Sequence, residues 1–410
     1  MSEKLTVKDV VNINKSTLST KDNWSTLKYL DTGNITENQI DTLQIFQKGE
    51  KLPSRAKRKV EKGTIIYSTV RPNQKHFGYF DTSFNDLVVS TGFATLDVID
   101  PRVNSKYLYY LLTQNSVISQ LQSIGENSTS SYPSIRPEDI GNLSFMFPNI
   151  DIQNKIADIL TSIDKKIQIN NQINQELEAM AKTLYDYWFV QFDFPDQNGK
   201  PYKSSGGKMV YHPELKREIP EGWGVDSLWN IANFYNGLAM QKYRPVTTED
   251  DYLPVIKIRE MMNGFSKDTE KARLDIPTEA VVERGDILFS WSATLEVIIW
   301  GKERGALNQH IFKVTSDIYP KSFIYFELKS YLKVFKAIAE LRKTTMGHIT
   351  QDHLKQAKIV VPSIELISKL DTQLQPIMLK QQILENQNQE LTQLRDWLLP
   401  MLMNGQVKVI

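Results

Sequence analysis

The chain of 410 residues contains no cysteine, and this absence excludes several kinds of site at once. A disulfide scaffold, a CxxC zinc ribbon, an iron–sulfur cluster and a thiol nucleophile all require cysteine. Histidine is scarce as well, with 5 residues, and none of them forms an HExxH pattern. We therefore predict no metal site in this chain.

Long apolar runs and an excess of one charge are also missing. The longest apolar stretch near the end, Leu398–Met403, is far too short to span a membrane. The first residues, MSEKLTVKDVV, carry charges where a signal peptide needs an apolar core, so we expect a cytoplasmic protein. Lysine and arginine number 49 against 48 acidic residues, a net charge of +1. This balance argues against non-specific coating of nucleic acid but is compatible with local basic patches.

What the chain does contain is material for packed cores. Apolar residues make up 40% of the sequence and charged residues 24%, a composition typical of globular proteins. The length exceeds what one hydrophobic core usually supports and predicts two or three domains.

The sequence repeats itself. The tetrapeptide Asn174–Leu177 recurs identically at Asn388–Leu391, an offset of 214 residues. Other blocks follow in the same order: 134–140 with 348–354 and 147–150 with 361–364 at the same offset, and 60–66 with 282–288 at an offset of 222. A change of offset indicates loop insertions or deletions between diverged copies. We therefore predict an internal duplication, which is the first feature to look for when assigning a fold.

Each copy has the same predicted order of elements. Short β-branched and aromatic runs at 63–70 and 286–291 predict strands, and 105–122 and 320–342 predict helices. A proline, Pro148 or Pro362, precedes a long helical pattern in each copy. The predicted fold class is α+β with a pseudo-two-fold internal repeat. The predicted segments are an α+β domain at 1–148, a long helix at 149–194, a linker at 195–218, a second α+β domain at 219–362 and a second long helix at 363–410.

The two long helices carry a heptad seam. Steps of four and three residues link positions in each helix, the spacing of a coiled coil. The seam residues are Ile156, Leu160, Ile163, Ile167, Asn174, Leu177 and Leu184 in the first helix, and Leu370, Leu374, Leu384, Asn388, Leu391 and Leu398 in the second. Two such helices in one chain are expected to pair with each other, and the polar Asn174 and Asn388 could fix their register.

An alternative interpretation is two ordinary amphipathic helices, each packed on its own domain. Pro376 is expected to break or kink the second helix near its start, because proline lacks an N–H group and clashes with the preceding turn.

Several motifs resemble a known family when taken in order. The first long helix ends in Trp188–Phe194, WFVQFDF, and a polar linker containing Gly206-Gly207-Lys208 follows. The second domain opens with Ile219–Trp223, IPEGW, and the first long helix is entered through Pro148–Gln153, PNIDIQ. The second copy has Ile367 where that entry has glutamine. In this order the motifs resemble the specificity (S) subunit of type I restriction-modification enzymes, over essentially the whole chain.

The resemblance implies an architecture and a set of partners. Two target-recognition domains would each recognise one half of a bipartite, asymmetric site in double-stranded DNA, while the two helices pair antiparallel, set the spacer and dock two methyltransferase (M) subunits. The complex would methylate adenine at N6 and, with restriction (R) subunits, cleave DNA in an ATP-dependent reaction. The resemblance places S-adenosylmethionine, ATP and Mg on the partner subunits and no cofactor on this chain.

The sequence lacks the common motifs of nucleotide-binding and methyltransferase sites. Gly206-Gly207-Lys208 lacks the spacing of a P-loop, and neither an Asn/Asp-Pro-Pro-aromatic tetrapeptide nor a GxGxxG motif after a strand occurs. We therefore predict a non-catalytic subunit. Two alternatives stay open: a self-contained DNA methyltransferase or nuclease with fused recognition domains, and a purely structural coiled-coil protein.

The DNA contacts are predicted from basic and polar side chains in both domains. A run of cations at 51–62 suits phosphate contacts, although a solvated loop would have the same composition. Arg71, Asn73, Lys75 and His76 supply donors and acceptors of the kind that base edges require. The complete set of candidates is Lys51, Arg55, Lys57, Arg58, Arg71, Asn73, Lys75, His76, Ser130 and Tyr132 in the first domain, and Lys257, Arg259, Lys267, Arg273, Thr344, Thr345 and His348 in the second.

Aromatic residues are assigned mainly to cores. Trp291 and Trp300 are expected to be core residues rather than stacking platforms. The aromatic cluster from Tyr185 to Phe194 has two interpretations. It either closes the helical pair against a recognition domain or exposes part of its surface to a partner subunit.

Overall fold

The computed structural model describes residues 3–128, 132–247, 251–341 and 348–409. The chain forms two compact units, one made of residues 1–167 and 390–410 and the other of residues 168–389. Each unit therefore combines one α+β domain with parts of both long helices.

The first unit contains mostly short strands, which are β1 (Glu3–Thr6), β2 (Val11–Ile13), β3 (Thr26–Leu30), β4 (Ile35–Thr36), β5 (Gln39–Ile40), β6 (Gln44–Gln47), β7 (Ala56–Lys59), β8 (Ile65–Ser68), β9 (Phe77–Tyr79), β10 (Leu87–Ser90), β11 (Phe93–Val98) and β12 (Ser144–Phe147). Its helices are α1 (Val7–Val10), α2 (Ser105–Leu112), α3 (Asn115–Glu126), α4 (Pro137–Gly141) and the start of α5 (Ile150–Tyr185). Single 3-10 turns lie at Thr32–Asn34 and Pro72–Gln74.

Two four-stranded sheets organise the first domain. One has the order β2-β11-β8-β9 with antiparallel pairs throughout, and the other has the order β6-β3-β10-β7 with β3 and β10 parallel. The strand β1 pairs antiparallel with β12, which directly precedes the long helix α5. This pairing brings the beginning of the domain next to its end.

The core of the first domain includes the beginning of the long helix. Helix α2 is buried from Tyr107 to Leu112, and Ile156 and Leu160 of α5 join the same cluster. Gln153 of the PNIDIQ entry is fully buried. Its amide accepts a hydrogen bond from Asn104 N–H at 2.9 Å and donates to the carbonyl oxygens of Arg102 and Pro148, both at 2.8 Å. A buried amide is stable only when its groups are paired in this way, so Gln153 anchors the start of α5 to the domain.

The second unit contains a similar set of strands and helices. Its strands are β13 (Met209–His212), β14 (Arg217–Pro220), β15 (Gly224–Ser227), β16 (Asn233–Asn236), β17 (Tyr252–Ile256), β18 (Lys271–Arg273), β19 (Val281–Val282), β20 (Ile287–Ser290), β21 (Glu296–Ile299), β22 (Gly305–Leu307), β23 (Ile311–Thr315) and β24 (Lys358–Val361). Its helices are α6 (Leu228–Ile231), α7 (Ile258–Asn263), α8 (Lys321–Leu341), α9 (Gln351–Gln356) and the start of α10 (Ile364–Met403). Short 3-10 turns lie at Met240–Tyr243 and Thr278–Ala280.

The sheets of the two domains correspond strand by strand. The order β16-β23-β20-β21 matches β2-β11-β8-β9, and β18-β17-β22-β19 matches β6-β3-β10-β7, including one parallel pair in the same place. The pair β15 and β24 matches β1 and β12. The predicted internal duplication and the α+β fold class are confirmed at the level of topology.

The segment predicted as a linker is folded against the second domain. Its strand β13 pairs with β14, and Met209 and Leu215 contact a small core of Phe192, Ile219 and Val360. The apolar side chains within an otherwise polar stretch explain this packing, because burying them removes apolar surface from water.

The helix α10 runs without interruption from Ile364 to Met403, so Pro376 does not break it. Pro376 is exposed, while the neighbouring Leu374 is fully buried in the core of the second unit. Leu374 before the proline and Ile377 and Met378 after it pack on the same core, which holds the helix on both sides of the missing backbone hydrogen bond. The first long helix, by contrast, ends in one π-helical turn at Asp186–Val190.

Candidate nucleic-acid interface

The basic run lies along an edge strand of the first domain. The strand β7 forms one edge of its sheet, and Lys51, Arg55 and Lys57 are exposed on it or next to it. Arg58 and Lys59 are half-buried, and Lys59 forms an ion pair with Asp22. The outer side of β7 is covered by the segment 16–18, since Leu18 N–H donates to the Lys57 carbonyl oxygen at 2.7 Å and Lys59 N–H donates to the Ser16 carbonyl oxygen at 3.1 Å. The exposed side chains of this run have the charge that suits phosphate contacts.

Arg58 differs from its neighbours because its guanidinium is partly enclosed. Its Nε atom is buried and has no hydrogen-bond partner among the described residues. Burial lowers the pKa of the Arg58 guanidinium. A buried, unpaired donor is unfavourable in the free protein, and an incoming anion would satisfy it.

The turn between β8 and β9 contains four of the predicted DNA contacts, which fall into two pairs. Arg71 and Asn73 are exposed, and the Arg71 guanidinium lies 5.6 Å from the ring centre of Tyr132. Lys75, by contrast, forms an ion pair with Glu37, and Nδ1 of His76 lies 2.6 Å from the carbonyl oxygen of Ile35. Arg71 and Asn73 are therefore available to a ligand, whereas Lys75 and His76 would have to exchange partners.

Most candidate cations of the second domain are paired within the domain. Lys257 binds Glu270 at 2.6 Å, Arg259 binds Glu260 at 2.6 Å, and Arg273 binds Asp275 at 2.7 Å. The Lys257 ammonium lowers the pKa of Glu270, and the Glu260 carboxylate raises the pKa of Arg259. Lys267 is exposed. DNA phosphates would compete with these carboxylates, so sequence reasoning overestimated the free positive charge of this domain.

Three predicted contacts, Ser130, Thr344 and Thr345, lie outside the described residues. Their neighbours Tyr132 and His348 are described: Tyr132 is 41% exposed and His348 is half-buried.

The two tryptophans differ in their surroundings. Trp300 is fully buried, as expected of a core residue, and its Nε1–H donates to the Glu303 carbonyl oxygen at 2.8 Å. Trp291 is only half-buried, and its Nε1–H donates to Oδ1 of the exposed Asn236 at 3.0 Å. Trp291 nevertheless packs against the core of the second unit, so it lies at the rim of the core rather than inside it. It stands directly after β20, at a strand end that reaches the surface, and composition alone gives no sign of this.

The aromatic cluster between Tyr185 and Phe194 belongs to the core of the second unit. Five of its rings are buried and pack against the domain: Tyr185, Trp188, Phe189, Phe192 and Phe194. Only Tyr187 of the cluster is exposed, at 37%. This arrangement confirms the first interpretation, in which the cluster closes the helix against a recognition domain.

All predicted seam residues of the long helices are buried or half-buried. Contacts between the helices run antiparallel in both units, since Asp164 meets Arg395 in the first, and Asn170 and Asn174 meet Asn388 and Gln381 in the second.

Asn388 pairs with two asparagines of the first long helix. Its Oδ1 accepts from Asn170 Nδ2 at 2.9 Å, and its Nδ2 donates to Asn171 Oδ1 at 2.7 Å. Asn174 contributes its backbone carbonyl oxygen instead, which accepts from Gln381 Nε2 at 3.2 Å. In this antiparallel pair, Asn174 and Asn388 occupy equivalent positions of the two copies but form hydrogen bonds with different residues.

The outer surface of the helices includes large apolar side chains. Trp397 is 58% exposed and Leu394 is 43% exposed, one helical turn apart on α10. Leu379 and Ile383 form a second such pair, with 58% and 41% exposure. Exposed aromatic and aliphatic residues grouped on one helix are typical of protein interfaces.

No helix among the described residues is long and apolar enough to cross a membrane. Within the same part of the chain, no three histidine, aspartate or glutamate side chains are placed to hold a metal ion together.

Comparison with known proteins identifies the family. The sequence profile described as "Type I restriction modification DNA specificity domain" matches residues 2–179 and 220–393. The "Type I restriction enzyme HindI specificity subunit" of Haemophilus influenzae is 26% identical over 438 aligned residues, which cover 92% of this chain and 94% of that protein. The MjaIX specificity subunit of Methanocaldococcus jannaschii is 27% identical over 397 residues, covering 93% of this chain and 84% of the relative.

A solved structure shares the fold. The S subunit of a type I restriction-modification system from M. genitalium superimposes with a TM-score of 0.55 at 16% identity, covering 98% of this chain and 96% of that one. The two profile matches coincide with the two copies deduced from the sequence and each reaches into a long helix. The chain therefore belongs to the type I restriction-modification DNA specificity family and carries two tandem copies of its domain.

Proposed function

We propose that this chain is the DNA-recognition subunit of a type I restriction-modification complex. Each α+β domain recognises one half of a bipartite, asymmetric site in double-stranded DNA. The observation that carries this proposal is the match of a DNA specificity domain to both copies, 2–179 and 220–393, in a chain whose two domains share one topology. Two domains of the same fold with different surface residues suit two half-sites of different sequence.

The paired helices set the spacer between the half-sites and dock two M subunits. The 36 residues of α5 and the 40 residues of α10 are each on the order of 50–60 Å long at 1.5 Å per residue. Half-sites on one face of B-DNA lie roughly 34–36 Å apart per helical turn, so the length is adequate. The exposed Trp397 and Leu394 on α10 are the apolar residues that we assign to M-subunit contact.

The chain itself is non-catalytic in this proposal. S-adenosylmethionine binds to the M subunits, which methylate adenine at N6, and ATP and Mg bind to R subunits, which cleave unmodified DNA. The complex works in the cytoplasm, where it meets incoming DNA.

The test is co-expression with the candidate M subunit from the same source, followed by single-molecule mapping of methylated adenines across the genome. We expect one bipartite motif, two short sequences separated by a fixed number of unread base pairs. Methylation by this chain without any partner would show that it is a self-contained enzyme. An assembled complex that methylates no bipartite site would refute the proposed role.

A further inference from the structure

The two domains share a junction of three chain segments at the end of one central strand. In the first domain, Thr69 directly follows β8. Its N–H donates to the Gly92 carbonyl at 2.9 Å, and its carbonyl accepts from Ile135 N–H at 2.8 Å. The second domain has the same pair of bonds around the residue that directly follows β20. Trp291 N–H donates to the His310 carbonyl at 3.3 Å, and its carbonyl accepts from Ile349 N–H at 2.9 Å.

The positions in the two domains are equivalent along the chain as well. Gly92 and His310 each directly precede the strand that pairs with the central one, β11 or β23. Ile135 and Ile349 are buried and lie two residues before a short helix, α4 or α9. The duplication has therefore kept the backbone of this junction while its side chains have changed.

Both domains keep the isoleucine, but the other two junction residues differ: Thr69 and Gly92 in the first domain correspond to Trp291 and His310 in the second. In the second domain, the Trp291 ring lies 5.6 Å from the His310 ring and 5.6 Å from the His348 ring. In the first domain, the residues at or beside the same junction include Arg71 and Tyr132, whose cation–π contact spans 5.6 Å. A constant backbone with two different sets of side chains is what recognition of two different half-sites requires.

The second-domain cluster reaches the surface. Trp291, His310 and His348 are all half-buried, and Asn236, the partner of Trp291, is exposed. The buried Nδ1 atoms of His310 and His348 have no hydrogen-bond partner among the described residues, so these rings are not held by a protein network through those atoms. A neutral imidazole offers one donor and one acceptor, and an indole offers a flat apolar face. Base edges in the major groove present donors, acceptors and the thymine methyl group.

We infer that this junction is the base-contacting site of each domain. Trp291, His310 and His348 determine the sequence of the half-site recognised by the second domain, and Arg71 with Tyr132 determines that recognised by the first. The inference rests on the proposed function and adds the residues that carry specificity.

The experiment measures discrimination rather than affinity alone. The full chain is assembled with its M subunits, and binding is measured on the mapped duplex and on duplexes with one half-site substituted at a time. The discrimination ratio is the Kd for a substituted duplex divided by the Kd for the intact one. The variants are Trp291→Leu, His310→Gln and His348→Gln in the second domain, and Arg71→Asn in the first, because asparagine tolerates the left-handed backbone of Arg71 (φ 47°).

We expect reciprocal effects. The second-domain variants lower the ratio for the second half-site by roughly five- to 150-fold, the range corresponding to one lost base contact, and leave the ratio for the first half-site unchanged. Arg71→Asn lowers the ratio for the first half-site and leaves the ratio for the second half-site unchanged. The matched controls are Trp229→Leu, a half-buried tryptophan of the same domain that stacks on Phe234, and His212→Gln. Neither control changes either ratio.

Each result has a distinct meaning. A variant that merely loosens the fold weakens binding to all duplexes equally and leaves both ratios intact; if this holds for all four variants, the inference is wrong. Should Trp291→Leu fail to fold, the two histidine variants test the same site. A wild-type complex that binds no bipartite sequence contradicts the proposed function itself, whereas wild-type discrimination that survives the substitutions contradicts only the assignment of this junction.

Discussion

At the scale of single residues, the effect of an ion pair on the free energy of unfolding depends on how far its charged groups are removed from water. Arg395 lies on α10 with its side chain 20% exposed, and it contacts Asp164 at 3.1 Å and Glu37 at 3.9 Å. Burial lowers the pKa of Arg395, but the carboxylates of Asp164 and Asp396 outweigh this effect and raise it. Asp164 also accepts a hydrogen bond from Tyr110 at 2.6 Å, so Arg395 connects the last helix to the first domain.

We expect Arg395→Met to reduce the free energy of unfolding by about 2 kcal/mol, since it leaves a partly enclosed carboxylate without its cation. Urea or thermal unfolding of the purified chain measures this change. The matched control is Arg304→Met, whose ion pair with Glu283 is more than half exposed on both sides. Exposed pairs contribute about 0–1 kcal/mol. Equal losses for both variants would argue against a special role for Arg395.

A second residue-scale prediction concerns pH. Glu327 on α8 accepts a hydrogen bond from the Tyr185 hydroxyl, and burial raises the pKa of its carboxyl group to about 7. The folded chain therefore holds a proton there between about pH 4.5 and 7 that the unfolded chain has released. Stability from this group is present at the low end of that window and is lost as the pH rises through 7.

Glu327→Gln is expected to remove this pH dependence, because glutamine keeps the hydrogen-bonding shape without ionising. Since the side chain is half-buried rather than fully enclosed, the effect is on the order of 1–2 kcal/mol. Thermal melting from pH 5 to 8 measures it, with Glu221→Gln, an exposed partner of Lys208, as control. A wild-type melting temperature that does not fall across this range relative to the variant would contradict the assignment.

At the scale of elements, the two long helices are defined by a seam whose centre is polar. The amides of Asn170, Asn171 and Asn388 bond to one another there, while Leu160, Leu370 and Leu374 are buried toward the domain cores. Polar side chains in a seam lower stability but favour one register over its alternatives. The pairing is therefore specified near its centre and stabilised near its ends.

We predict that removing one heptad from each helix, residues 175–181 and 377–383, shortens the unread spacer and leaves both half-site sequences intact, since the asparagines that specify the register are kept. Seven residues correspond to roughly 10 Å of helix, or about three base pairs. Mapping of methylated adenines with the shortened subunit measures the new spacer. Deleting the heptad from only one helix is the control, and it should abolish specific methylation because the seams no longer match. A change in the half-site sequences themselves would disprove the role of the helices as a spacer.

At the scale of the whole molecule, function depends on assembly as much as on DNA contacts. The aromatic cluster from Tyr185 to Phe194 is buried in the core of the second unit, and Tyr187 is its one aromatic side chain that a partner subunit could contact. Trp397 and Leu394 are more exposed, and tryptophan is enriched among residues that dominate interface energies.

We expect Trp397→Ser to weaken assembly with the M subunit at least tenfold. Truncation of a tryptophan at the centre of an interface commonly reduces the binding free energy by about 2 kcal/mol or more. Titration of the subunit into M subunit, followed by sedimentation, measures the affinity. Val246→Ser removes an apolar side chain that is 88% exposed in a loop and serves as control. Unchanged assembly with Trp397→Ser would place the M-subunit contact elsewhere.

The sequence by itself determined the duplication, the α+β class, the seam of both helices and the family. These features are periodic or local: a heptad needs only its own helix, and a repeat needs only comparison of the chain with itself. Tertiary structure decided the partners of the seam asparagines, the ion pairs of the candidate cations and the burial of the tryptophans, because each depends on residues that are distant in sequence. Antiparallel packing chose Asn170 and Asn171 rather than Asn174 for Asn388, folded carboxylates neutralised Lys257 and Arg259, and the surface end of β20 left Trp291 half-exposed while Trp300 was buried.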